Sequence, residues 1–351
     1  MTNRDLPPLI DYGLIPLLNL MAALAVSCVV FAIIGVPPWT ALASMAAGAF
    51  GSGDGIGYTL NYATNFIFAG LAVALPARAG LFNIGGEGQA MLGGLAVALV
   101  CLALPGWPWW AALPLVVAAA LAGGAAWALV PALLQVRRGS HIVITTILFN
   151  FLASKLLTWM LVDVIRAPGD PSPETSGFDP SLALPGMAGS PLNLTLGLAL
   201  VAAGLAWLLI GRSVWGYELR AAGQNPEAAR YAAIPAGTLA VAAVCLGGAC
   251  AGMIGVNEAM GVEHRLVLGF TAGAGFVGIA VALMGRNHAV GIVLAAILFG
   301  ALYQGGAELS FDYPQVTRDI VIVMDGLVIL FCGALEQLWR RPIAALWGRR
   351  R

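Results

Sequence analysis

Long apolar runs without charged side chains are the feature that most constrains this chain. The first run, Leu14–Val36, spans 23 residues. At a rise of about 1.5 Å per residue, a helix of that length crosses a hydrocarbon core of about 30 Å. The surrounding residues lack the basic start and small-residue cleavage site of a signal peptide, so we expect the run to be retained as a membrane-spanning helix.

Nine further apolar runs follow the first. Only 10% of the 351 residues are charged, whereas soluble proteins carry about 25%, so too few polar side chains exist to cover a globular surface. We predict an all-α integral membrane protein of about ten transmembrane helices, with nine or eleven left open, in a single domain over residues 1–351. The nine runs are Tyr58–Pro76, Ala90–Leu104, Trp109–Leu134, Ile142–Val164, Leu192–Ile210, Thr238–Val256, Thr271–Met284, Ala289–Ala307 and Ile320–Leu335.

The arginines predict the orientation, because cytoplasmic loops of membrane proteins carry an excess of Lys and Arg. With a cytoplasmic N-terminus and ten spans, thirteen arginines fall inside and three fall outside. Both termini are therefore predicted to be cytoplasmic. The inner set is Arg4, Arg78, Arg137, Arg138, Arg212, Arg220, Arg230, Arg286, Arg340, Arg341, Arg349, Arg350 and Arg351, and the outer set is Arg166, Arg265 and Arg318.

Two loops between the runs are long. The outer loop, residues 166–191, is rich in Pro, Gly, Asp and Ser, and it is either a solvated connector or a docking surface for an external partner. The inner loop, residues 211–237, contains a helix start, with Asn225 as N-cap, Pro226 at the first helical position and an acidic residue next. We predict a short amphipathic helix to about Ile234, which makes this loop a rigid cytoplasmic projection.

No set of residues for catalysis or metal binding stands out. The phosphate-binding pattern G-x-x-x-x-G-K-[ST] is absent, since the one lysine, Lys155, follows Ser154. The cysteines and histidines lack metal-ligand or disulfide spacing, and a formal net charge of zero gives no support for nucleic-acid binding. We predict no catalytic residue, no metal site and no cofactor in this chain. Active transport would then draw its energy from another chain or from an ion gradient.

The segment Arg78–Gln89 holds four glycines among polar residues, between two apolar runs. Irregular backbone at membrane depth survives only inside protein or beside a water-filled cavity, because its amides need hydrogen-bond partners. We predict a broken or re-entrant element near residues 78–89 that lines a pathway. A cytoplasmic turn with tight glycine packing is the alternative.

Four segments in order resemble those of one family of ATP-binding-cassette (ABC) permeases. Gly80–Gln89, GLFNIGGEGQ, closely resembles a signature of the permeases that import nucleosides and simple sugars. That group belongs with the ribose and branched-chain amino-acid permeases. Thr145–Asn150, Gly223–Ala232 and Gly278–His288 are similar to further segments of the family, so the resemblance covers about residues 60–335.

The resemblance implies a multi-pass permease subunit of an ABC importer, which moves a nucleoside or simple sugar across the bacterial inner or plasma membrane. It implies cytoplasmic ATP-binding subunits that hold ATP and Mg²⁺, a second permease that is usually a different homologous chain, and an external substrate-binding protein or lipoprotein. It also implies that residues 223–231 dock into a groove on the ATPase subunit. The predicted coupling residues are Glu218, Arg220, Gly223, Asn225, Pro226, Glu227, Arg230 and Tyr231.

Polar side chains within the spans are candidates for the pathway, because a charge at the bilayer centre costs about 2.5–3.5 kcal/mol on insertion scales. Neutral donors and acceptors suit an uncharged, hydroxyl-rich solute, with helix–helix packing as the alternative. Of the three intramembrane charges, Glu87, Lys155 and Asp325, the last two are a candidate ion pair, and Lys155 alternatively extends to the interface. The pathway candidates are Asn61, Asn65, Phe82, Asn83, Glu87, Gln89, Thr145, Thr146 and Asn150.

Two other classes of membrane protein stay open as alternatives. An ion-coupled secondary transporter of a small polar solute predicts inverted repeats with paired broken helices, and the sequence has one clear broken element. A membrane enzyme predicts a catalytic cluster near the interface, and the sequence shows none.

Overall fold

A computed structural model of the chain describes residues 14–167, 169, 171–317, 320, 323–324, 326–327 and 330–331. Apart from loops and turns, this part of the chain is helical, and its only β-pairings are isolated bridges between Glu174 and Val267 and between Gly186 and Asn193. The predicted all-α class is therefore confirmed for the described residues.

Proline and glycine set several helix boundaries. Helices α2 and α9 begin at prolines, whose missing N–H needs no partner at a helix start, and α1 and α5 end at the left-handed residues Gly35 and Gly139. The helices are α1 (Ile15–Ile34), α2 (Pro38–Phe50), α3 (Gly53–Ala77), α4 (Gly86–Ala103), α5 (Trp109–Arg138), α6 (Ile142–Trp159, followed by the π-helical turn Met160–Val164), α7 (Thr195–Arg212), α8 (Val214–Gln224), α9 (Pro226–Tyr231), α10 (Ala236–Gly252, followed by the π-helical turn Val256–Val262), α11 (Ala274–Met284) and α12 (Ala289–Asp312), with a 3₁₀ turn at Pro180–Leu182.

Eight helices among the described residues are long and apolar enough to cross a membrane. They correspond to eight of the predicted runs. The run Thr271–Met284 yields only the 11-residue α11, and the run Ile320–Leu335 lies largely outside the described residues, as do both termini. The count of about ten spans and the cytoplasmic termini therefore stay predictions. Sequence reasoning missed α2, whose 13 residues are too few to register as a span.

Contacts divide the chain into two units, residues 60–300 and residues 1–59 with 301–351. In the unit 60–300, α4, α5 and α10 pack directly on one another. A side chain at Gly93 would collide with the backbone of Gly252, and one at Gly124 with that of Gly248. Small residues let membrane helices approach closely and gain van der Waals contact, so glycine at these positions is a packing requirement.

The other unit contains α1, α2, the start of α3 and the end of α12. The short helix α2 turns back into α3, and the hydroxyl of Thr59 donates to the carbonyl oxygen of Ala49 across that turn at 3.0 Å. A side chain at Gly305 of α12 would collide with the backbone of Met45 in α2. Close backbone contact therefore joins these helices as well.

Helices α5, α6 and α7 present apolar side chains outward. In the most apolar stretch of each of these helices only 22–28% is buried, whereas 83% of the corresponding stretch of α3 is buried. Ile144, Phe151 and Leu205 are 60%, 66% and 61% exposed. Large exposed apolar surfaces of this kind fit lipid or a partner subunit, and α5, α6 and α7 each carry such a face.

Candidate functional site

The chain between α3 and α4 forms a connecting turn, residues 78–85. The irregular backbone of this turn ends at Gly85. Gln89, which was predicted to belong to a broken element over residues 78–89, therefore lies in the first turn of α4. Asn83 is fully buried, and its Nδ2 donates to the carbonyl oxygen of Ala72 at 3.1 Å and to Gln89 Oε1 at 3.0 Å. Its Oδ1 accepts from the N–H of Gly85 at 2.9 Å. Asn83 thus supplies partners for backbone that has no helical bonds.

Asn150 of α6 fixes the start of α4. Its Nδ2 donates to the carbonyl oxygen of Ile84 at 2.9 Å, and its Oδ1 accepts from the N–H of Gly88 at 2.9 Å. The first N–H groups of a helix have no partner within the helix, so a neighbouring helix satisfies one of them here. Thr146, one turn earlier, is buried and donates to the carbonyl oxygen of Ile142 in its own helix at 2.8 Å.

The buried carboxylate of Glu87 is held by the loop that precedes α11 and by the first turn of α11. Its Oε1 accepts from the hydroxyl of Thr271 at 2.5 Å and from the N–H of Gly273 at 3.2 Å. Its Oε2 accepts from the N–H of Gly275 at 2.9 Å. We call these four residues the Glu87 cradle. A carboxylate in the first turn also complements the helix dipole, so the cradle ties the start of α4 to the start of α11.

A second polar group, the asparagine cluster, joins α3, α7 and the π-helical turn after α10. Asn257 stands at its centre and donates through Nδ2 to Oδ1 of Asn61 and of Asn65, at 3.0 Å each. Its Oδ1 accepts from Nδ2 of Asn193 at 3.1 Å and from the hydroxyl of Thr195. Burial strengthens such a network and makes any unpaired member costly. The cluster comprises Asn61, Asn65, Asn193, Thr195, Asn257 and Glu258.

The structure brings most of the predicted pathway residues into these two regions, with protein partners for their polar groups. Phe82 and Thr145 lie apart from both, since Phe82 is 37% exposed and the hydroxyl of Thr145 donates to its own helix at Ile142. Helix–helix packing accounts for the observed bonds, and contact with a solute stays a prediction. The residues brought together are Asn61 and Asn65 in the asparagine cluster, and Asn83, Glu87, Gln89, Thr146 and Asn150 around the start of α4.

Sequence reasoning missed part of both regions. Asn257 and Glu258 directly follow Val256, where a predicted span ends, and Glu258 Oε1 accepts from Nδ2 of Asn65 at 2.5 Å. Polar residues just beyond the end of an apolar run were the available signal. The missed members are Asn193, Thr195, Asn257, Glu258 and Thr271.

The other predicted intramembrane charges have separate outcomes. Lys155 is exposed on the surface of α6. From such a position a long side chain can place its ammonium at the membrane interface. Asp325 lies outside the described residues, so its pairing with Lys155 stays a prediction.

An open cavity of about 640 Å³ lies in the unit formed by residues 1–59 and 301–351. It is bounded by α2, the start of α3 and the end of α12. Three carboxylates line it, from Asp54, Glu308 and Asp312, together with the polar groups of Tyr58 and Gln304. Carboxylate and amide oxygens accept hydrogen bonds from hydroxyl groups, so the wall suits a polar, hydroxyl-bearing molecule. The sequence analysis did not select these acids.

Helices α8 and α9 form the projection expected in the inner loop. Asn225 caps α9, since its Oδ1 accepts from the N–H groups of Glu227 at 3.1 Å and Ala228 at 3.0 Å. The predicted cap and helix are therefore confirmed, although α9 ends at Tyr231 and sequence reasoning missed α8. Glu227 and Arg230 are exposed and Tyr231 is 96% exposed, which is the exposure that a docking surface needs.

Two of the predicted coupling residues instead face α7 and the connecting turn between α3 and α4. Arg220 donates to the carbonyl oxygen of Ile210 at the end of α7. Gly223 packs directly on the backbone of the connecting turn at Arg78. The exposed surface of this segment is formed by residues of α9 and by one face of α8, where Tyr217 is 64% exposed.

Hydrogen bonds and an ion pair attach the described part of the outer loop to other segments. The N–H of Thr175 donates to the carbonyl oxygen of Leu266 at 3.0 Å, and Arg265 pairs with Glu174 at 2.8 Å. Asp179 accepts from the N–H of Gly106, between α4 and α5, at 3.0 Å. Hydrogen bonds from the hydroxyl and N–H of Ser181, with the bond from Gly106, hold the pKa of Asp179 below its usual range.

Comparison with known proteins places these features in a family. Residues 55–332 match the family model described as branched-chain amino acid transport system / permease component. A glucose ABC transporter permease of Haloferax volcanii is 34% identical over 99% of this chain and 94% of its own. A guanosine ABC transporter permease of Bacillus subtilis is 35% identical over 93% and 94%, and a second guanosine permease of that organism is 27% identical over 69% and 78%. No solved structure matches the chain with significance.

Proposed function

Because this chain belongs to the branched-chain amino acid transport permease family and is a permease subunit of an ABC importer, we propose that it carries a nucleoside or simple sugar. The importer function predicted from sequence is supported over the ion-coupled alternative, and the chain is a multi-pass protein of the plasma membrane. The permease is not an enzyme, and ATP hydrolysis lies in a partner subunit.

The relatives and the polar surfaces support the substrate class. One relative is named for glucose and two for guanosine, and both solutes are uncharged and rich in hydroxyl groups. With Arg78 on the cytoplasmic side, the cavity at the start of α3 faces outward, and its acceptors at Asp54, Glu308 and Asp312 suit the hydroxyl groups of an incoming solute. The proposed route begins at this cavity.

The coupling surface is proposed to be α9. A short helix with a satisfied N-cap can transmit a displacement as a rigid body, whereas a disordered loop cannot. The exposed ring of Tyr231 and the guanidinium of Arg230 belong to the residue types that are enriched at protein interfaces, and Glu227 adds a charge to the same exposed helix. This exposed, capped helix is the single observation that carries the coupling proposal.

The proposed assembly contains further chains. Two different permeases of Bacillus subtilis both carry the guanosine name, which supports a pore built with a second, non-identical permease. The outer loop, residues 166–191, is the proposed dock for a substrate-binding protein or lipoprotein, because hydrogen bonds and an ion pair attach its residues 174–178 to residues 264–267. ATP and Mg²⁺ are expected on the ATPase subunits.

The substrate proposal is tested by uptake into proteoliposomes that contain the assembled importer. Radiolabelled guanosine and glucose are supplied separately, each with competing nucleosides, sugars or amino acids. We expect saturable uptake of one of the two, with competition within its own class. Glu308→Gln is expected to raise the KM of that uptake with little change in the maximal rate, and Asp163→Asn, an exposed acid of the other unit, is the control. Uptake blocked only by amino acids would contradict the proposal.

A further inference from the structure

Helices α8 and α9 form a hairpin that contacts the connecting turn through one glycine on each side, Gly223 in the hairpin and Gly80 in the turn. A Cβ at Gly223, the penultimate residue of α8, would collide with the carbonyl oxygen of Arg78 and lie 3.0 Å from the N atom of Gly80. A Cβ at Gly80 would lie 3.1 Å from the carbonyl oxygen of Gly223. Gly80 also has a φ of +74°, in the left-handed region that favours glycine. The two backbones are therefore in direct contact, with no flexible side chain between them.

The connecting turn is held on its other sides as well. Ala79 packs against the apolar cluster formed by α8, α9 and α10, which includes Leu219 and Ala229. Leu81 packs against a second cluster that joins α5, α6 and α10. Arg78 donates to the carbonyl oxygen of Asn287 in the loop before α12. Residues 78–81 thus contact α8 and α9, the cluster of α5, α6 and α10, and the loop before α12. Close packing on these sides leaves little free space around the turn, so a movement of α8 displaces it.

The turn leads directly into the buried polar groups around α4. Asn83 is only three residues beyond Gly80, and it bonds to α3 at Ala72 and to α4 at Gln89. Ile84 accepts from Asn150 of α6. A shift of the turn therefore changes bonds that position three membrane-spanning helices.

We propose that the Gly80–Gly223 contact is the positioning element through which movement of the α8–α9 hairpin reaches the start of α4. The contact is backbone on backbone, so neither glycine has space for a side chain and the two segments must move together. This role rests on the proposed function of α9 as the ATPase dock. Spatial proximity does not establish coupling between two sites, so the test must measure coupling itself.

The test compares Gly223→Ala with the wild-type chain in an importer reconstituted with its ATPase subunits, second permease and binding protein. An added methyl group pushes hairpin and turn apart without altering the exposed face of α9. We expect the ATPase to stay bound and to hydrolyse ATP, while solute molecules imported per ATP fall by at least about fivefold, the low end of typical coupling between sites. The control is Gly211→Ala, at a glycine with nothing within 4 Å of an added Cβ, which should leave the ratio unchanged.

A second measurement, made on the wild-type importer, tests the proposed role of the Gly80–Gly223 contact even if Gly223→Ala does not assemble. Hydrogen exchange is followed for residues 78–85 and 214–231, without nucleotide and with a non-hydrolysable ATP analogue. The proposal predicts that both segments change together. A change confined to residues 214–231, or a wild-type import ratio in Gly223→Ala, would overturn it while leaving the ATPase dock intact. A wild-type permease that binds no ATPase would instead refute the proposed function.

Discussion

At the scale of single residues, Asn257 makes most of the hydrogen bonds that hold the asparagine cluster together. Its amide bonds to Asn61, Asn65, Asn193 and Thr195, on α3 and at the start of α7. An interhelical hydrogen bond in a membrane is worth about 0.6 kcal/mol on average, but Asn257→Ala leaves the buried Oδ1 atoms of Asn61 and Asn65 unpaired, at about 1–3 kcal/mol each. We expect a clear fall in the melting temperature of the detergent-solubilised protein.

Asn61→Ala is the matched comparison for that prediction. It removes one bond to Asn257 and one to the carbonyl oxygen of Pro191, and leaves the centre of the cluster in place. The melting temperature should fall less than in Asn257→Ala. Equal melting temperatures for Asn257→Ala and the wild type would show that the cluster does not join these helices.

Glu87 is the second residue with a specific expectation. Its Oε1 accepts hydrogen bonds from the loop before α11, and its Oε2 accepts one from Gly275 in the first turn of α11. Glu87→Gln replaces one acceptor with an NH₂ donor that faces N–H or O–H donors, and leaves at least one of them unpaired at about 1–3 kcal/mol. We expect faster hydrogen exchange at Gly273 and Gly275. Asp163→Asn, at an exposed acid after α6, should leave those amides unchanged, and unchanged exchange in Glu87→Gln would rule out the cradle as an anchor.

At the scale of structural elements, α9 is predicted to dock the ATPase through its exposed end. Aromatic residues at the centre of an interface commonly contribute about 2 kcal/mol or more, and the side chain of Tyr231 is 96% exposed. Tyr231→Ala should therefore weaken ATPase binding by at least about tenfold, as measured by titration in nanodiscs. Tyr313→Ala, beyond the end of α12 on the predicted outer side, is the control. Equal ATPase affinity in Tyr231→Ala and the wild type would place the interface elsewhere.

The outer loop has a pH dependence of its own. Because the pKa of Asp179 is lowered, its ionised carboxylate stabilises the folded loop fully at pH values above the ordinary aspartate pKa. That stabilisation is lost as the pH falls through the lowered pKa. Exchange protection of the Gly106 amide should follow that loss, whereas the Trp107 amide, which bonds to Leu104, serves as the internal reference. Asp179→Ala should remove the pH dependence. Gly106 protection that is unchanged in this variant would contradict the assigned bond.

Elements fixed by local chemistry were accessible from the sequence, and those fixed by distant partners were not. The cap at Asn225 and the spans from α3 to α7 follow from neighbouring residues, so pattern alone predicts them. Asn257 meets partners 62 to 196 residues away, and no local pattern connects them. The direction in which Gly223 faces was equally hidden, because it depends on how α8 packs against residues 78–80.

At the scale of the whole molecule, scarcity of charge determined the class and the family resemblance determined the function. Apolar runs alone do not separate an ABC permease from an ion-coupled transporter, because both need lipid-facing helices with buried polar groups. The four matching segments, and then the family match over residues 55–332, made that distinction. The cavity acids escaped detection because Asp54 and Glu308 lie at the ends of apolar stretches, where charge is ordinary.

The central claim is that a separate ATPase, docked on α9, drives solute import through this chain. The most direct measurement is solute uptake by the reconstituted importer, with ATP present or absent and with or without an ionophore that dissipates ion gradients. The account predicts uptake that requires ATP, persists with the ionophore and, at limiting ATPase, is lowered when α9 is altered by Tyr231→Ala. Uptake that continues without ATP and collapses when the ionophore is added would contradict it.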